Sequence, residues 1–385
     1  MAAMEKNNKN LNVPNLRFPE FSGEWDITTI GEISNIKNGP FGSVLHAEDY
    51  VSDGIPIVTT EHFKSGSLPI VKDGIPQVSE QDYIRLKGYK LQTNDIVISR
   101  VGSVDINAYV SDTQNGWLFS GRVLRVRPIS SVNSLCLHFV LSTEKVKQGI
   151  RSRAVGQTMP SINTPILSTT NIFLPKSLEE QRKISIFLAL IDARLETQKK
   201  IIEKYESLIR GLCEKLTRQG TANKTINECL ECHSSTLQES SVMVGGKYPV
   251  YGATGICGYT DTPDSTGDGI LIIKDGASVG VTSYAEGCYS AIGTLNRLIA
   301  KHDIHLRYVY YCLKVMNFSP YKTGLAIPHI YFKDYGKHKI WCPSYEHQLH
   351  IANILTQIDD NIQVEKSLLE QLNSQKRYML NQLFI

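Results

Sequence analysis

Residues 156–181 read GQTMPSINTPILSTTNIFLPKSLEEQ, and residues 324–348 read GLAIPHIYFKDYGKHKIWCPSYEHQ. The two stretches share a loop from glycine to isoleucine, a proline after an apolar segment, and a glutamine soon after that proline. Pro160 and Pro328 are as far apart in the chain as Pro175 and Pro343. The spacing between Gln181 and Gln348 is one residue shorter. A repeat over this distance predicts a chain built from two related halves.

An apolar seam follows each copy of the repeat, with members at steps of three and four residues, which is typical of a coiled-coil helix. The first seam consists of Ile184, Leu188, Ile191, Leu195, Gln198, Ile202, Tyr205, Ile209, Leu212 and Leu216. The second has the same steps in register with the first, and consists of Ile351, Leu355, Ile358, Ile362, Glu365, Leu369, Leu372, Lys376, Met379 and Leu383. We expect the two helices to pair as an antiparallel coiled coil with pseudo-two-fold symmetry. The alternative is that each helix packs only on its own domain.

Short apolar segments separated by turn residues precede each helix. DIVISR at 95–100 and GILIIK at 269–274 predict buried strands ending on a basic residue, and VLRVR at 123–127 predicts a half-exposed strand. We therefore predict an α+β fold with two domains of mixed strands and helices, each followed by a long helix. The expected segments are a disordered start at 1–14, a first domain at 15–175, a first spacer helix at 176–220, a second domain at 221–343 and a second spacer helix at 344–385.

Composition narrows the class of protein. The length of 385 residues favours more than one domain. No apolar run approaches the roughly 18 residues of a membrane span, and the polar N-terminus does not resemble a secretory signal. We therefore expect a cytoplasmic protein whose eight cysteines are reduced. The net charge of +3 is small, so any surface for nucleic acid has to come from local clusters of basic residues.

Motifs for catalysis are missing. The Asn-Pro-Pro-Tyr type of motif, with which amino-methyltransferases hold a flipped base, has its nearest fragment in SPY at 319–321. GGKY at 245–248 lacks the Ser or Thr that ends a phosphate-binding loop. Between Asp264 and Lys274, the position of a second nuclease carboxylate is taken by Ile272. The sequence therefore predicts a protein that is not an enzyme.

The sequence CLECH at 229–233 has the spacing of a haem-attachment site or of half a zinc site. Haem attachment requires export, and a structural zinc ion needs two further ligands at clear spacing. Neither is evident, so we interpret this segment as a helical turn that opens the second domain, and we expect no metal or cofactor in this chain.

Four motifs in order resemble the specificity subunits of type I restriction-modification systems. They are LRFPEFSGEW at 16–25, GPFGS at 39–43 with GIPI at 54–57, YPVYG at 248–252 with Gly255, Gly258 and Tyr259, and the helix starts PKSLEEQ and PSYEHQ. The GPFGS and YPVYG motifs are similar to two different classes of target-recognition domain. Two departures concern the second half, which has no counterpart of Trp25 and reads EHQ instead of EEQ.

The resemblance implies a subunit that binds duplex DNA, with each domain recognising one half of an asymmetric target. It also implies two modification subunits and, for cleavage, restriction subunits as partners. S-adenosylmethionine, ATP and Mg²⁺ would then be bound by those partners. Two alternatives are a DNA-binding or scaffold protein without modification subunits, and the recognition half of a fused methyltransferase-nuclease.

Basic clusters and turns between strands select the residues that could contact DNA, since phosphates attract Lys and Arg and base edges need donors and acceptors. The candidates are Arg100, Arg122, Lys145, Lys147, Arg151, Arg153, Gln157, Thr158, Lys274, Arg297 and Lys322. The basic cluster at 145–153 could also be a solvated helix face. The repeated loops at 156–162 and 324–330 could contact the DNA backbone, or could be hinges between domain and helix.

Overall fold

The computed structural model describes residues 12–40, 47–324 and 326–385. Most of the predicted disordered start lies outside this range, as do Phe41, Gly42 and Ser43 of the GPFGS motif and Leu325 of the second loop. The chain forms two compact units: unit 1 contains residues 1–196 and 370–385, and unit 2 contains residues 197–369. Each long helix thus contributes a segment to both units, and the predicted boundaries of the recognition domains stay a prediction.

Unit 1 begins with short strands and ends in a long helix. Its strands are β1 (Asp26–Thr29), β2 (Ser34–Asn38), β3 (Tyr50–Val51), β4 (Ile55–Val58), β5 (Gln77–Val78), β6 (Ile96–Ser99), β7 (Asn107–Tyr109), β8 (Leu118–Phe119), β9 (Val123–Pro128) and β10 (Asn171–Leu174). Its helices are α1 (Glu80–Arg85), α2 (Ser134–Leu141), α3 (Glu144–Arg151), α4 (Thr164–Ser168), the start of α5 (Leu178–Thr217) and the end of α9 (Tyr345–Leu383).

Unit 2 contains the second set of elements. Its strands are β11 (Lys224–Thr225), β12 (Leu230–Ser234), β13 (Tyr248–Gly252), β14 (Gly255–Thr260), β15 (Ser265–Thr266), β16 (Gly269–Ile273), β17 (Thr282–Ala285), β18 (Cys288–Ala291), β19 (Leu295–Ala300) and β20 (Lys339–Ile340). Its helices are the end of α5, α6 (Ile226–Cys229), α7 (Leu306–Lys314), α8 (Phe332–Tyr335) and most of α9.

The two units have closely related sheet plans. In unit 1 the strand orders are β1-β10, β2-β9-β6-β7 and β3-β5-β4-β8. In unit 2 they are β11-β20, β12-β19-β16-β17 and β14-β13-β18-β15. In the last sheet of each unit, β4 and β13 are both inner strands with one antiparallel neighbour (β5 or β14) and one parallel neighbour (β8 or β18). The fourth strand differs, because β3 extends the sheet beyond β5 in unit 1 and β15 extends it beyond β18 in unit 2. The GIPI and YPVYG motifs lie on β4 and β13, so two dissimilar sequences form corresponding strands of the related plans.

The long helices pair in an antiparallel manner, as predicted. In unit 1, Ile184 and Leu188 at the start of α5 share a core with Leu383 at the end of α9. In unit 2, Ile209 at the end of α5 shares a core with Ile351 at the start of α9. These cores also contain strand and α2 or α7 side chains, so the helix ends pack on the domains as well as on each other.

Burial along the seam follows the expected pattern. The members below one tenth exposed are Ile184, Leu188, Leu195, Gln198, Ile202, Ile209, Ile351, Leu355, Ile362, Leu372 and Leu383. The half-buried members include Ile191, Leu212, Ile358 and Leu369. One pair in the seam is polar: the Gln198 side-chain amide donates to the backbone oxygen of Glu365 at 3.1 Å and also to its carboxylate. A hydrogen-bonded polar pair within a mainly apolar seam favours a single alignment of the helices.

Two local predictions were wrong. The VLRVR segment forms the internal strand β9, which is buried at Val123 through Val126 because it pairs with β2 on one side and β6 on the other. Arg127 at its end is ion-paired to the buried Asp95 at 2.6 Å. The S-x-x-E pattern at Ser177 predicts a reciprocal capping box. Only half of it forms, with the Glu180 amide donating to the Ser177 hydroxyl at 3.4 Å, because the Glu180 carboxylate has other partners.

Candidate nucleic-acid interface

The two repeated loops have the same construction. Loop 1 (residues 155–161) is closed at its base by two backbone hydrogen bonds of 2.9 and 2.8 Å between Val155 and Ser161. Loop 2 (residues 323–329) is closed by two backbone hydrogen bonds of 2.9 and 2.8 Å between Thr323 and His329. The base of each loop is therefore fixed by a pair of backbone hydrogen bonds, which argues against a simple hinge.

Each loop also docks on the turn that follows a central strand. In unit 1, the Gly102 amide donates to Pro160 O at 2.8 Å, and Ile162 N donates to Arg100 O at 2.9 Å. In unit 2, the Gly276 amide donates to Pro328 O at 2.9 Å, and Ile330 N donates to Lys274 O at 2.9 Å. Arg100 and Lys274 therefore occupy corresponding positions beside the two loops.

Gly156 and Gly324 make the sharp turn into each loop. Their φ angles are +102° and +89°, a left-handed region that side chains disfavour. A Cβ at Gly156 would lie 2.8 Å from Met159 O, and one at Gly324 would lie still closer to Ile327 O. Both the backbone angle and the space therefore require glycine.

Substituting alanine for either glycine is expected to lower the free energy of unfolding by about 1–2 kcal/mol, because the new Cβ is strained and meets a carbonyl oxygen. Gly149→Ala is the matched control. Gly149 lies in α3 with nothing within 4 Å of the position that a Cβ would take, so alanine there is expected to stabilise by about 0.5–1 kcal/mol. Urea denaturation of the three variants measures the difference; equal effects at all three sites would contradict this account.

Several basic candidates of unit 1 are engaged within the domain. Arg151 is ion-paired to Glu144 and Asp105, whose hydrogen bonds raise its pKa. The Arg153 guanidinium donates to Gly149 O and Thr169 O at 3.1 and 3.3 Å, tying the end of α3 to the end of α4. These two arginines hold the scaffold of loop 1 in place.

The remaining candidates of unit 1 differ in exposure. Arg122 and Lys145 are exposed and Lys147 is half-buried, with the Lys145 ammonium 4.9 Å from the centre of the Phe173 ring. Arg100 is half-buried and its Nη1 donates to Gly121 O at 3.1 Å. Gln157 and Thr158 are exposed in loop 1.

In unit 2, Lys322 is exposed and Lys274 is half-buried, and both flank loop 2. Arg297 is tied to its own sheet, with Nε donating to the Tyr289 hydroxyl at 2.9 Å and Nη2 donating to Thr266 O at 2.6 Å. Within loop 2, His329 Nδ1 lies 2.7 Å from the Asp275 carboxylate. The structure thus brings Lys274 and Lys322 together beside the loop and leaves Arg297 apart from them.

The glutamine of the repeat has a role that sequence reasoning missed. In unit 1, Gln181 donates from Nε2 to Pro175 O and accepts from Asn133 N, both at 2.8 Å. In unit 2, Gln348 donates to Pro343 O at 2.8 Å and accepts from His305 N at 2.9 Å. Asn133 and His305 are the N-caps of α2 and α7. Each glutamine therefore joins the start of a long helix to the start of a short one.

The N-terminal motif at 16–25 also proves to be an anchor. Arg17 forms two hydrogen bonds of 2.7 and 2.8 Å with the Glu180 carboxylate, and Trp25 Nε1 donates to the same group at 3.2 Å. Glu180 is 1% exposed and Trp25 is 2% exposed. The motif therefore fastens the segment that precedes β1 to the start of α5.

The CLECH segment is only partly the predicted helical turn. Cys229 ends the short helix α6, whereas Cys232 and His233 lie on β12. A hydrogen bond with Cys342, together with burial, raises the pKa of the Cys229 thiol. Within the described ranges, no group of three His, Cys, Asp or Glu side chains is placed to hold a metal ion. None of the helices built from described residues is long and apolar enough to cross a bilayer.

Comparison with known families gives the assignment. The model of the family described as "Type I restriction modification DNA specificity domain" matches residues 22–206 and 222–374. The chain belongs to this family. The specificity subunit of the type I restriction enzyme EcoprrI from Escherichia coli is 29% identical over 112 residues, 29% of this chain and 28% of its own length. The MjaVIII specificity subunit from Methanocaldococcus jannaschii is 25% identical over 206 residues, 53% of this chain.

Those two matches span 28% and 44% of the relatives' own lengths, so less than half of each. Solved structures support the fold more broadly. The S subunit of a type I restriction-modification system from M. genitalium has a TM-score of 0.67 at 19% identity, covering 97% of this chain and 99% of its own. A structure from work on assembly and conformational transition of the type I R-M system has a TM-score of 0.56 at 14% identity, covering 94% and 97%.

Proposed function

We propose that this chain is the non-catalytic specificity subunit of a type I restriction-modification complex, which recognises a bipartite, asymmetric DNA target. The observation that carries the proposal is the presence of closely related sheet plans and one loop construction in two units with dissimilar sequences. A shared scaffold with different exposed side chains suits the recognition of two different half-sites at equivalent positions.

Phosphate contact is assigned to the basic candidates that form no ion pair among the residues described by the structure. These are Arg122, Lys145 and Lys147 in unit 1, and Lys274 and Lys322 in unit 2. Arg100 is also assigned to phosphate contact, because it occupies the position beside loop 1 that Lys274 occupies beside loop 2. Arg151, Arg153 and Arg297 support the scaffold through their hydrogen bonds and are weaker candidates for DNA contact.

Catalysis belongs to the partners in this proposal. Two modification subunits would supply S-adenosylmethionine and methylate adenine, and restriction subunits would supply ATP-dependent cleavage with Mg²⁺. The complex would act in the cytoplasm, where the host DNA lies. The chain contributes the recognition of sequence and the framework on which these subunits assemble.

A reconstitution experiment tests the proposal. The chain, mixed with the modification subunit of the same genome and S-adenosylmethionine, is expected to form a complex with two modification subunits and to methylate adenine at one split target. The chain alone is expected to transfer no methyl group. Replacing residues 15–175 by the corresponding domain of another family member should change one half-site and leave the other unchanged. Methylation by the chain alone, or a change in both half-sites, contradicts the proposal.

A further inference from the structure

Loop 1 and loop 2 each carry a large apolar side chain in solvent at the same position. Met159 is 61% exposed and Ile327 is 58% exposed, and each directly precedes the proline of its loop. The carbonyl of that proline docks on the strand turn in both units. Single exposed apolar residues are common on protein surfaces. An exposed apolar residue at the same position in both units of a repeat needs an explanation.

The chemistry shared by the two loop tips is apolar. Loop 1 has QTMP at 157–160, whereas loop 2 has LAIP at 325–328, which contains no hydrogen-bonding side chain. Phosphates and base edges are bound through donors and acceptors, so side chains of loop 2 offer little for either. A partner common to both tips must therefore accept an apolar side chain.

Both loops are fixed at the base and at the proline, which favours binding. The base of each loop is closed by paired backbone hydrogen bonds, and the Pro160 and Pro328 carbonyls accept from Gly102 and Gly276. A side chain on a pre-ordered loop loses little entropy when it enters a pocket, so more of its burial appears as affinity.

We propose that Met159 and Ile327 are equivalent anchors, each of which inserts into an apolar pocket on one copy of the modification subunit. This inference rests on the proposed function. Two units that read different half-sites need different DNA contacts, yet they meet two copies of one protein. The exposed apolar side chain, which both loops share, therefore fits the modification subunit, which is the same protein at both units.

The test measures how many modification subunits the full-length chain binds. Sedimentation of the chain at increasing concentrations of modification subunit is compared for wild type, Met159→Ala, Ile327→Ala and the double variant. Ile70→Ala and Val244→Ala are the controls, because these side chains are 69% and 99% exposed but do not belong to the repeated loops. Met159→Leu should retain binding because leucine keeps the apolar contact.

Each single variant is expected to bind one modification subunit as the wild type does and the second roughly tenfold or more weakly, as for a central interface residue. The double variant should bind both copies weakly, while the controls behave as wild type. Normal binding of both copies by the double variant overturns the inference. A double variant that assembles normally but binds DNA more weakly also overturns the inference, and would indicate that the loop tips contact DNA. A wild-type chain that binds no modification subunit overturns the proposed function as well.

Discussion

Gln181→Leu and Gln348→Leu are each expected to lower the free energy of unfolding of their unit by about 2–4 kcal/mol. Each substitution keeps the volume roughly constant but leaves a proline carbonyl and an N-cap amide without the partner they have now. Since the glutamines are 3% and 1% exposed, water cannot easily replace the lost hydrogen bonds. An unsatisfied buried polar group costs about 1–3 kcal/mol, and each variant creates two.

Urea denaturation followed by circular dichroism measures the loss, and hydrogen exchange localises it. Gln181→Leu should speed exchange at Asn133, and Gln348→Leu should speed exchange at His305, because these amides lose their acceptor. Gln363→Leu provides the matched control, since Gln363 is exposed on α9 and its change should be small. If the control is as destabilised as the other two, the loss comes from leucine in a helix and not from the broken hydrogen bonds.

A second large effect is expected from adding seven residues to each long helix, after Leu195 in α5 and after Leu372 in α9. These positions lie near each other, since Asp192 of α5 is ion-paired to Lys376 of α9 at 2.5 Å. One heptad returns the apolar seam to the same face, so the helices can still pair. Each helix becomes longer by about 10 Å, which corresponds to roughly three base pairs of duplex. The unread gap between the half-sites should lengthen by about that amount, with both half-sites unchanged.

Mapping of methylated adenines in DNA treated with the reconstituted complex measures the gap. A two-residue insertion at the same two positions is the control, because it rotates the seam by about 200°, away from its partner, and should weaken the pairing. An active complex that keeps the original gap after the heptad insertion would show that the helices do not measure the spacing.

The sequence predicted the elements whose pattern is local. The two seams, the loops with their glycines and the strands before Arg100 and Lys274 follow from periodicity and turn residues. The related sheet plans could not be predicted, because β4 and β13 bury dissimilar residues in corresponding places. A backbone scaffold can be preserved while the side chains on it change, and a sequence pattern reports only the side chains.

Errors arose where a side chain has a distant partner. Glu180 has the spacing of a capping residue, but its carboxylate binds Arg17, which is 163 residues away. Arg127 lies on a strand that reads as half-exposed, yet Asp95 satisfies its charge inside the domain. In the basic cluster at 145–153, Arg151 and Arg153 likewise have partners within the domain that the sequence periodicity does not reveal.

The polar pair in the seam has a consequence for how a duplicated chain avoids mispairing. Gln198 and Glu365 occupy the same place in the two copies of the repeat, each the fifth member of its seam. In an antiparallel pair of two α9 helices, the same alignment would set one Glu365 carboxylate against another, and like charges at close range repel. The Gln198 amide instead donates a hydrogen bond to the Glu365 carboxylate. Divergence at this position thus disfavours the pairing of α9 with a second copy of itself, and favours the union of the two halves within one chain.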